Sequence, residues 1–178
     1  MVHVSKALIG TAAAPSPHAL AKLRAQLKAM LHCLNCPGGL WDVGVMLTTE
    51  DHVRKLNRRF CKMDKSTDIL SFPFHQVRKP GRFPRVNLKE ERYLGDIYIS
   101  PTYVQRQCED PLLDEIVTLE ERLPVLMAHG LCHLLGYDHE RDDDYELMKK
   151  AENYILHRYL AFLPPTFTSA SDMGPSQT

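Results

Sequence analysis

The first 41 residues contain no aspartate or glutamate; Asp42 is the first acid. An acid-free, Ala-rich start carrying Lys6, Lys22, Arg24 and Lys28 has two readings. It is either an organelle transit segment or the first helix of the domain itself, and both stay open at the level of sequence. No apolar run approaches the ~20 residues of a membrane helix, so a soluble protein with no membrane partner is expected. No secretory signal is legible. The five cysteines (Cys33, Cys36, Cys61, Cys108 and Cys132) are odd in number and irregularly spaced. That pattern speaks against a disulfide framework and against secretion. A reducing compartment is expected, cytoplasmic or mitochondrial, and the acid-free start tilts the expectation toward the mitochondrion. Net charge is also absent, because 22 basic residues balance 22 acidic ones. The cancellation is not local. Arg54 to Arg92 holds 12 Lys/Arg against 4 Asp/Glu, whereas Glu109 to Glu152 holds 4 against 13. Such segregation either places two solvated faces of opposite sign or builds a basic surface that attracts a polyanion.

What is present suits one domain: 178 residues, 44% hydrophobic and 25% charged, enough for one buried core and short for two. A strand is expected at Val2–Val4. Apolar residues at helical spacing predict a helix over His18–Leu34, stopped by Pro37-Gly38-Gly39. A strand follows at Val43–Leu47, then a helix over Glu50–Phe60 with Thr49 as its cap. Ile69–Phe74 reads as an edge strand, because Pro73 cannot donate to a ladder. Residues 75–93 form a polar, basic loop with three breakers, Pro80, Gly81 and Pro84. Ile97–Ser100 is a strand, and Pro101 opens a helix to Cys108. Helices are expected over Leu123–Leu135, with Pro124 in the first turn, and over Asp144–Leu160. The expectation is a single α+β domain over residues 1–162, with 163–178 a disordered tail.

HGLCHLLGYDH, residues 129–139, concentrates three of the nine histidines. His129 and His133 are four apart and share one helix face. Gly136 supplies the left-handed conformation that ends helices, so the chain can turn and bring His139 back to the same point. Three converging imidazoles make a first-row metal site, best suited to one zinc per chain with an open fourth position, where bound water is acidified. Cys132 is read as a core residue rather than a fourth ligand. Cys33 and Cys36 form a C-x-x-C with no second pair, read as two small residues near a helix end.

The histidine spacing equals that of the metzincin peptidases, H-E-x-x-H-x-x-G-x-x-H. Gly130 stands where the peptidase has its Glu base, and glycine cannot accept a proton, so a metallopeptidase is only a minor alternative. The stretch more closely resembles the H-G-x-L-H-L-x-G-Y-D-H signature of the YbeY-type endoribonucleases, with Cys132 where Leu is common. LNRRFCKMDKSTDILSFPF, 56–74, resembles that family's L-N-x-x-Y-R-x-x-D-x-x-T-D-V-L-S-F-P-F, and LGDIYIS, 94–100, its L-G-D-I-x-I-S. The three occur in the family's order and cover roughly residues 40 to 155. The resemblance implies a small mixed sheet packed with helices around a central metal-binding helix. It implies a zinc-dependent, single-strand-specific endoribonuclease acting in ribosomal RNA maturation and ribosome quality control. Its partners would be ribosomal RNA and the ribosomal subunit or its proteins, and its metal ligands match His129, His133 and His139.

One position departs from the pattern: Cys61 replaces the family's arginine, which is thought to contact RNA. Arg58, Arg59 and Lys62 are the candidate substitutes, and α-helical spacing favours Arg58. The alternative function is therefore a ribosome-assembly binding factor that cleaves weakly or not at all. No side chain is assigned as general base, and metal-bound water is the expected nucleophile. Asp68 and Asp96 read mainly as structural, Asp138 as a residue that orients an imidazole, and Phe72 and Phe74 as packing residues.

Overall fold

The computed structural model describes residues 1–110 and 118–167. Four strands, β1 (Val2–Val4), β2 (Asp42–Leu47), β3 (Ile69–Pro73) and β4 (Tyr93–Ile99), form one sheet in the order β1-β2-β4-β3. β1, β2 and β4 run parallel, and β3 is antiparallel to β4. Five α-helices accompany them: α1 (Pro17–Cys33), α2 (Glu50–Leu56), α3 (Pro101–Cys108), α4 (Leu119–Leu134) and α5 (Asp142–Arg158). The fold is the single α+β domain with a mixed four-stranded sheet that the sequence implied. β3 is an edge strand and ends at Pro73, as its missing N–H requires.

Helix α4 lies across one face of the sheet. Gly130 permits the approach: a Cβ there would stand 2.7 Å from Ile97 Cδ1 and 3.0 Å from Ile97 Cγ2. Leu131, Met127 and Leu134 of α4 join Ile97, Ile99, Val45, Met30, Met148 and Ile155 in the core. Helices α1 and α5 pack on α4 and on each other. The acid-free start belongs to this fold. β1 pairs with β2, and α1 buries Leu23, Leu27 and Met30 behind a Ser16 cap and Pro17.

Several boundaries differ from the sequence reading. Helix α4 begins four residues early, because Thr118 and Glu121 form a capping box that satisfies two orphan donors. Pro124 thus falls in the second turn. Helix α5 begins at Asp142, and Asp142, Asp143 and Asp144 all face its positive end. Part of the acidic block is thereby explained as charge set against the helix dipole. Strand β4 begins at Tyr93 rather than Ile97. Gly95 holds φ +137° within the strand, and a Cβ there would strike the Phe72 carbonyl. The helix expected over 50–60 is α2 followed by a π-helical turn, Asn57–Cys61, stopped by Lys62 at φ 62°. The chain also stays folded past 162. Leu163 is in the core, Pro165–Phe167 makes a 3₁₀ turn, and the Phe167 ring lies 5.7 Å from His18. Residues 168–178 of the expected tail lie outside the described residues.

Candidate metal centre

His129 and His133 project from the last turns of α4. Leu135 closes the helix, and Gly136 follows at φ +80° with its N–H donating to the His133 carbonyl at 3.0 Å. A Cβ on Gly136 would stand 2.8 Å from Val77, so both conformation and space require glycine. The reversal returns His139 to the pair. The three ring centroids are 4.6, 5.1 and 5.4 Å apart, and one nitrogen from each ring lies within 4.8 Å of the other two. Among the described residues this is the one cluster of metal-ligating side chains.

Two of the rings have their outer nitrogens committed. His129 Nδ1–H donates to Glu152 Oε1 at 2.6 Å, and His133 Nδ1–H to the Tyr137 carbonyl at 3.1 Å. A carbonyl can only accept, and an ionised carboxylate can only accept, so the tautomers follow from the partners. Both Nε2 atoms then present lone pairs, and they face each other at 3.0 Å. A metal ion held by both rings would satisfy the two lone pairs. Ligands ~2.0–2.1 Å from a tetrahedral zinc stand about 3.4 Å apart, close to this separation. A proton is a poor substitute. Burial first, then the neighbouring His129 and His139, push His133 down to about 4. His133 is thereby kept neutral, which is the state a metal ligand needs.

Cys132 takes no part. It is fully buried, and its thiol is pushed up to about 12 by burial and by the Glu152 charge. Cys33 and Cys36 are likewise thiols donating to the carbonyls of Met30 and Leu31. Glu152, on α5, is the residue that orients His129. It lies 23 positions from its partner, and no local motif marks it. Asp138, expected to orient an imidazole, instead accepts the backbone N–H of His139 at 2.8 Å. It shapes the turn rather than a ring.

A family profile described as Endoribonuclease YbeY matches residues 12–160. The chain belongs to that family. Curated proteins bearing the name are similar to it: one from Homo sapiens, 33% identical over 116 residues, covers 65% of this chain and 66% of its own. One from Rhodopseudomonas palustris, 41% identical over 118 residues, covers 66% and 56%. One from Thermus thermophilus, 37% identical over 137 residues, covers 76% and 87%. The chain thus spans less than two thirds of the length of the first two. A Thermotoga maritima protein solved in solution superposes over both whole chains with a TM-score of 0.50 at 23% identity, which shows the shared fold.

In this YbeY family member the histidines open onto a cleft of about 640 Å³, walled by Thr67 to Ser71 of the β3 side and floored by Gly136 to His139. Asp68 lines it, although one carboxylate oxygen is engaged by the Ile69 N–H and the Thr67 hydroxyl. Arg58, Arg59 and Lys62 do not line the cleft. They sit on the π turn, whose Phe60 packs on Phe72 with ring centroids 5.1 Å apart. Phe72 alternates with Ser71, and Ser71 pairs with Ile97, which faces α4. Phe72 and the π turn therefore belong to the opposite face of the sheet. The α-helical spacing that favoured Arg58 as a stand-in for Cys61 does not apply there, because a π turn bonds i to i+5. Asp96 accepts from the Tyr93 hydroxyl at 2.6 Å, which accords with a structural role.

A different set of cations lies on a loop that packs against Gly136, a residue of the cleft, although none of them lines it. The loop after β3 is docked on the end of α4: Gly81 N–H donates to the Leu135 carbonyl at 3.0 Å, and Val77 packs on Gly136. Arg78, Lys79, Arg82 and Arg85 on this loop are exposed. Among the described residues no carboxylate pairs with any of them. No described helix is long and apolar enough to cross a membrane.

Proposed function

We propose that this chain is a zinc-dependent endoribonuclease that cuts single-stranded RNA, with ribosomal RNA as substrate during maturation and quality control of the ribosome. One observation carries the reading: three imidazoles converge on a cleft, and the loop packed on the end of the same helix carries four exposed cations with no carboxylate partner among the described residues. A zinc ion held by His129, His133 and His139 would supply acidified water and Lewis-acid polarisation of a phosphoryl oxygen. The chain's own residues do the rest. Glu152 and the Tyr137 carbonyl fix the ring orientations, Arg78, Lys79, Arg82 and Arg85 draw in the phosphate backbone, and the cleft between β3 and the end of α4 admits a flexible strand. The names of the relatives support an RNA substrate, and binding to ribosomal particles follows from it as a further expectation.

A peptidase is disfavoured by packing as well as by chemistry. Residue 130 points into Ile97, so no Glu base fits at this position. A ribosome-binding factor with little cleavage is the second reading. It is favoured by Cys61, which is exposed and carries no charge to replace the family's arginine.

The test is cleavage of an end-labelled single-stranded RNA by the zinc-loaded protein, with His133→Ala in parallel and circular dichroism on both. Cutting by the wild type alone supports the nuclease. Two inactive, folded proteins support the binding factor. Equal cutting by both assigns the activity to a contaminant and removes the nuclease claim.

A further inference from the structure

We propose that the sheet face turned away from α4 is a platform for single-stranded RNA, on which Phe60, Phe72 and Phe74 stack bases while Arg58 and Arg59 meet phosphates. The inference rests on the RNA-cleaving reading above and adds to it a second surface for the same strand, outside the histidine cleft. The two faces of the sheet are unlike. Val43, Val45 and Leu47 of β2 and Ile97 and Ile99 of β4 share the α4 face, and each is at most 1% exposed. Their alternates Gly44, Met46, Asp96 and Tyr98 are only partly buried. A sheet face left to water is ordinarily polar, yet β3 brings aromatic rings to this one.

Phe72 pairs with Asp96, and the Phe74 N–H continues the ladder to the Leu94 carbonyl at 2.9 Å. The two rings therefore share the face, about 6.8 Å apart along the strand. Phe60 and Tyr98 meet Phe72 with centroids 5.1 and 5.7 Å away, and Tyr93 meets Phe74 at 5.7 Å, all edge to face. Phe60 is 54% exposed and Phe74 63%. Among the described residues no ring lies parallel on either, so both can take a flat partner, and every base has a π-face. A run of exposed rings on one face marks an interaction surface.

Charge selects the occupant. Arg58 and Arg59 lie on the π turn beside Phe60, and the Arg59 guanidinium carbon stands 5.2 Å from the Phe60 ring centroid. Among the described residues neither has a carboxylate partner, whereas the nearby acids Asp51 and Asp64 are held by Lys55 and Arg54. Unpaired cations beside exposed rings match a strand that alternates phosphates with π-faces. One carboxylate lies across from Phe72. Asp96 Oδ1 accepts from the Tyr93 hydroxyl at 2.6 Å, and its second oxygen is left to accept a base N–H. The other side of β3, with Ile69 and Ser71, lines the cleft. Because β3 is the edge strand, one RNA chain can pass from the cleft round the exposed Pro73 to the platform.

The experiment binds the full-length, zinc-loaded chain to a labelled 2′-O-methyl RNA oligomer and to an abasic oligomer with the same backbone. Anisotropy reads the affinity, and gels confirm that both strands stay intact. The wild type should bind the base-bearing strand at least about tenfold more tightly than the abasic one. Phe74→Ala and Phe74→Leu should each weaken the base-bearing complex about tenfold and leave the abasic one unchanged. Phe74→Trp should keep the preference, and Arg59→Ala should weaken both complexes by a similar factor. Circular dichroism checks each variant, and Phe60→Ala repeats the test at a second exposed ring should Phe74→Ala disturb the fold. Equal binding of both strands by the wild type, or a Phe74→Leu variant that binds as the wild type does, overturns the platform and leaves the face to a protein partner. A Phe74→Ala loss equal for both strands overturns it too. RNA cleavage is assayed on the same wild-type sample. If the wild type cuts RNA but shows no base preference, the platform falls and the nuclease stands. If it shows the preference and its loss in Phe74→Ala but cuts no RNA, the platform stands and the nuclease falls.

Discussion

Removing the Glu152 side chain should loosen the metal centre without unfolding the protein. The carboxylate touches no substrate. Its contact with His129 at 2.6 Å fixes which nitrogen of that ring carries the proton and which way the ring faces. Losing such a partner typically lowers metal affinity 10- to 100-fold, or about 1.4 to 2.7 kcal/mol. The Glu152 side chain is 24% exposed, so water can take over part of the contact. The lower end is therefore expected: roughly tenfold, about 1.4 kcal/mol, for Glu152→Ala. Glu152→Gln keeps an acceptor oxygen and loses only the charge, so it should fall between the wild type and Glu152→Ala. The assay is competition for zinc against a chromophoric chelator at pH 7.5. Glu146→Ala, an exposed acid on the same helix, serves as the control. Zinc affinity in Glu152→Ala equal to the wild type's would refute the argument that this contact orients the ligand.

Gly130→Ala should destabilise the fold by up to about 2 kcal/mol in urea unfolding: overpacking against Ile97 costs about 1–3 kcal/mol, and about 1 kcal/mol is recovered in helix propensity. Ile97→Val in the same chain should recover part of that loss, and a stabilised Gly130→Ala would contradict the packing. Charge reversal at Arg78 and Arg82 together should weaken RNA binding at low salt and reduce the log–log salt slope by about 2, measured by fluorescence anisotropy; an unchanged slope would remove the loop from the interface. Burial holds the Cys36 thiol up at about 11. From pH ~9, where the unfolded thiol ionises, to 11 the unfolded state binds fewer protons than the folded one, so stability falls as pH rises. Cys36→Ala should lose less stability over that interval in urea unfolding, and parallel curves for the two proteins would contradict it.

The metal face was legible in the sequence because it is local. Helical periodicity puts His129 and His133 on one side, and Gly136 turns the chain so that His139 rejoins them within ten residues of His129. The fold class was legible too, since strand and helix signals alternate with breakers between them. The cap at Thr118 was present as T-x-x-E, although the helix was expected to start later. Strand β4 was expected only from Ile97, whereas Gly95 lies inside it and serves the close approach of two strands.

Tertiary structure alone decided the surroundings of the site. Glu152 reaches His129 only because α5 packs on α4. The basic loop packs on the end of α4 through Gly81 and Val77, whereas the π turn that carries Arg58 and Arg59 and is capped by Lys62 packs through Phe60 on Phe72, on the other face of the sheet. Residue type and spacing determine what lies within a turn or two of chain. Which distant side chain completes a site depends on how the elements pack, and periodicity along one segment carries no record of that.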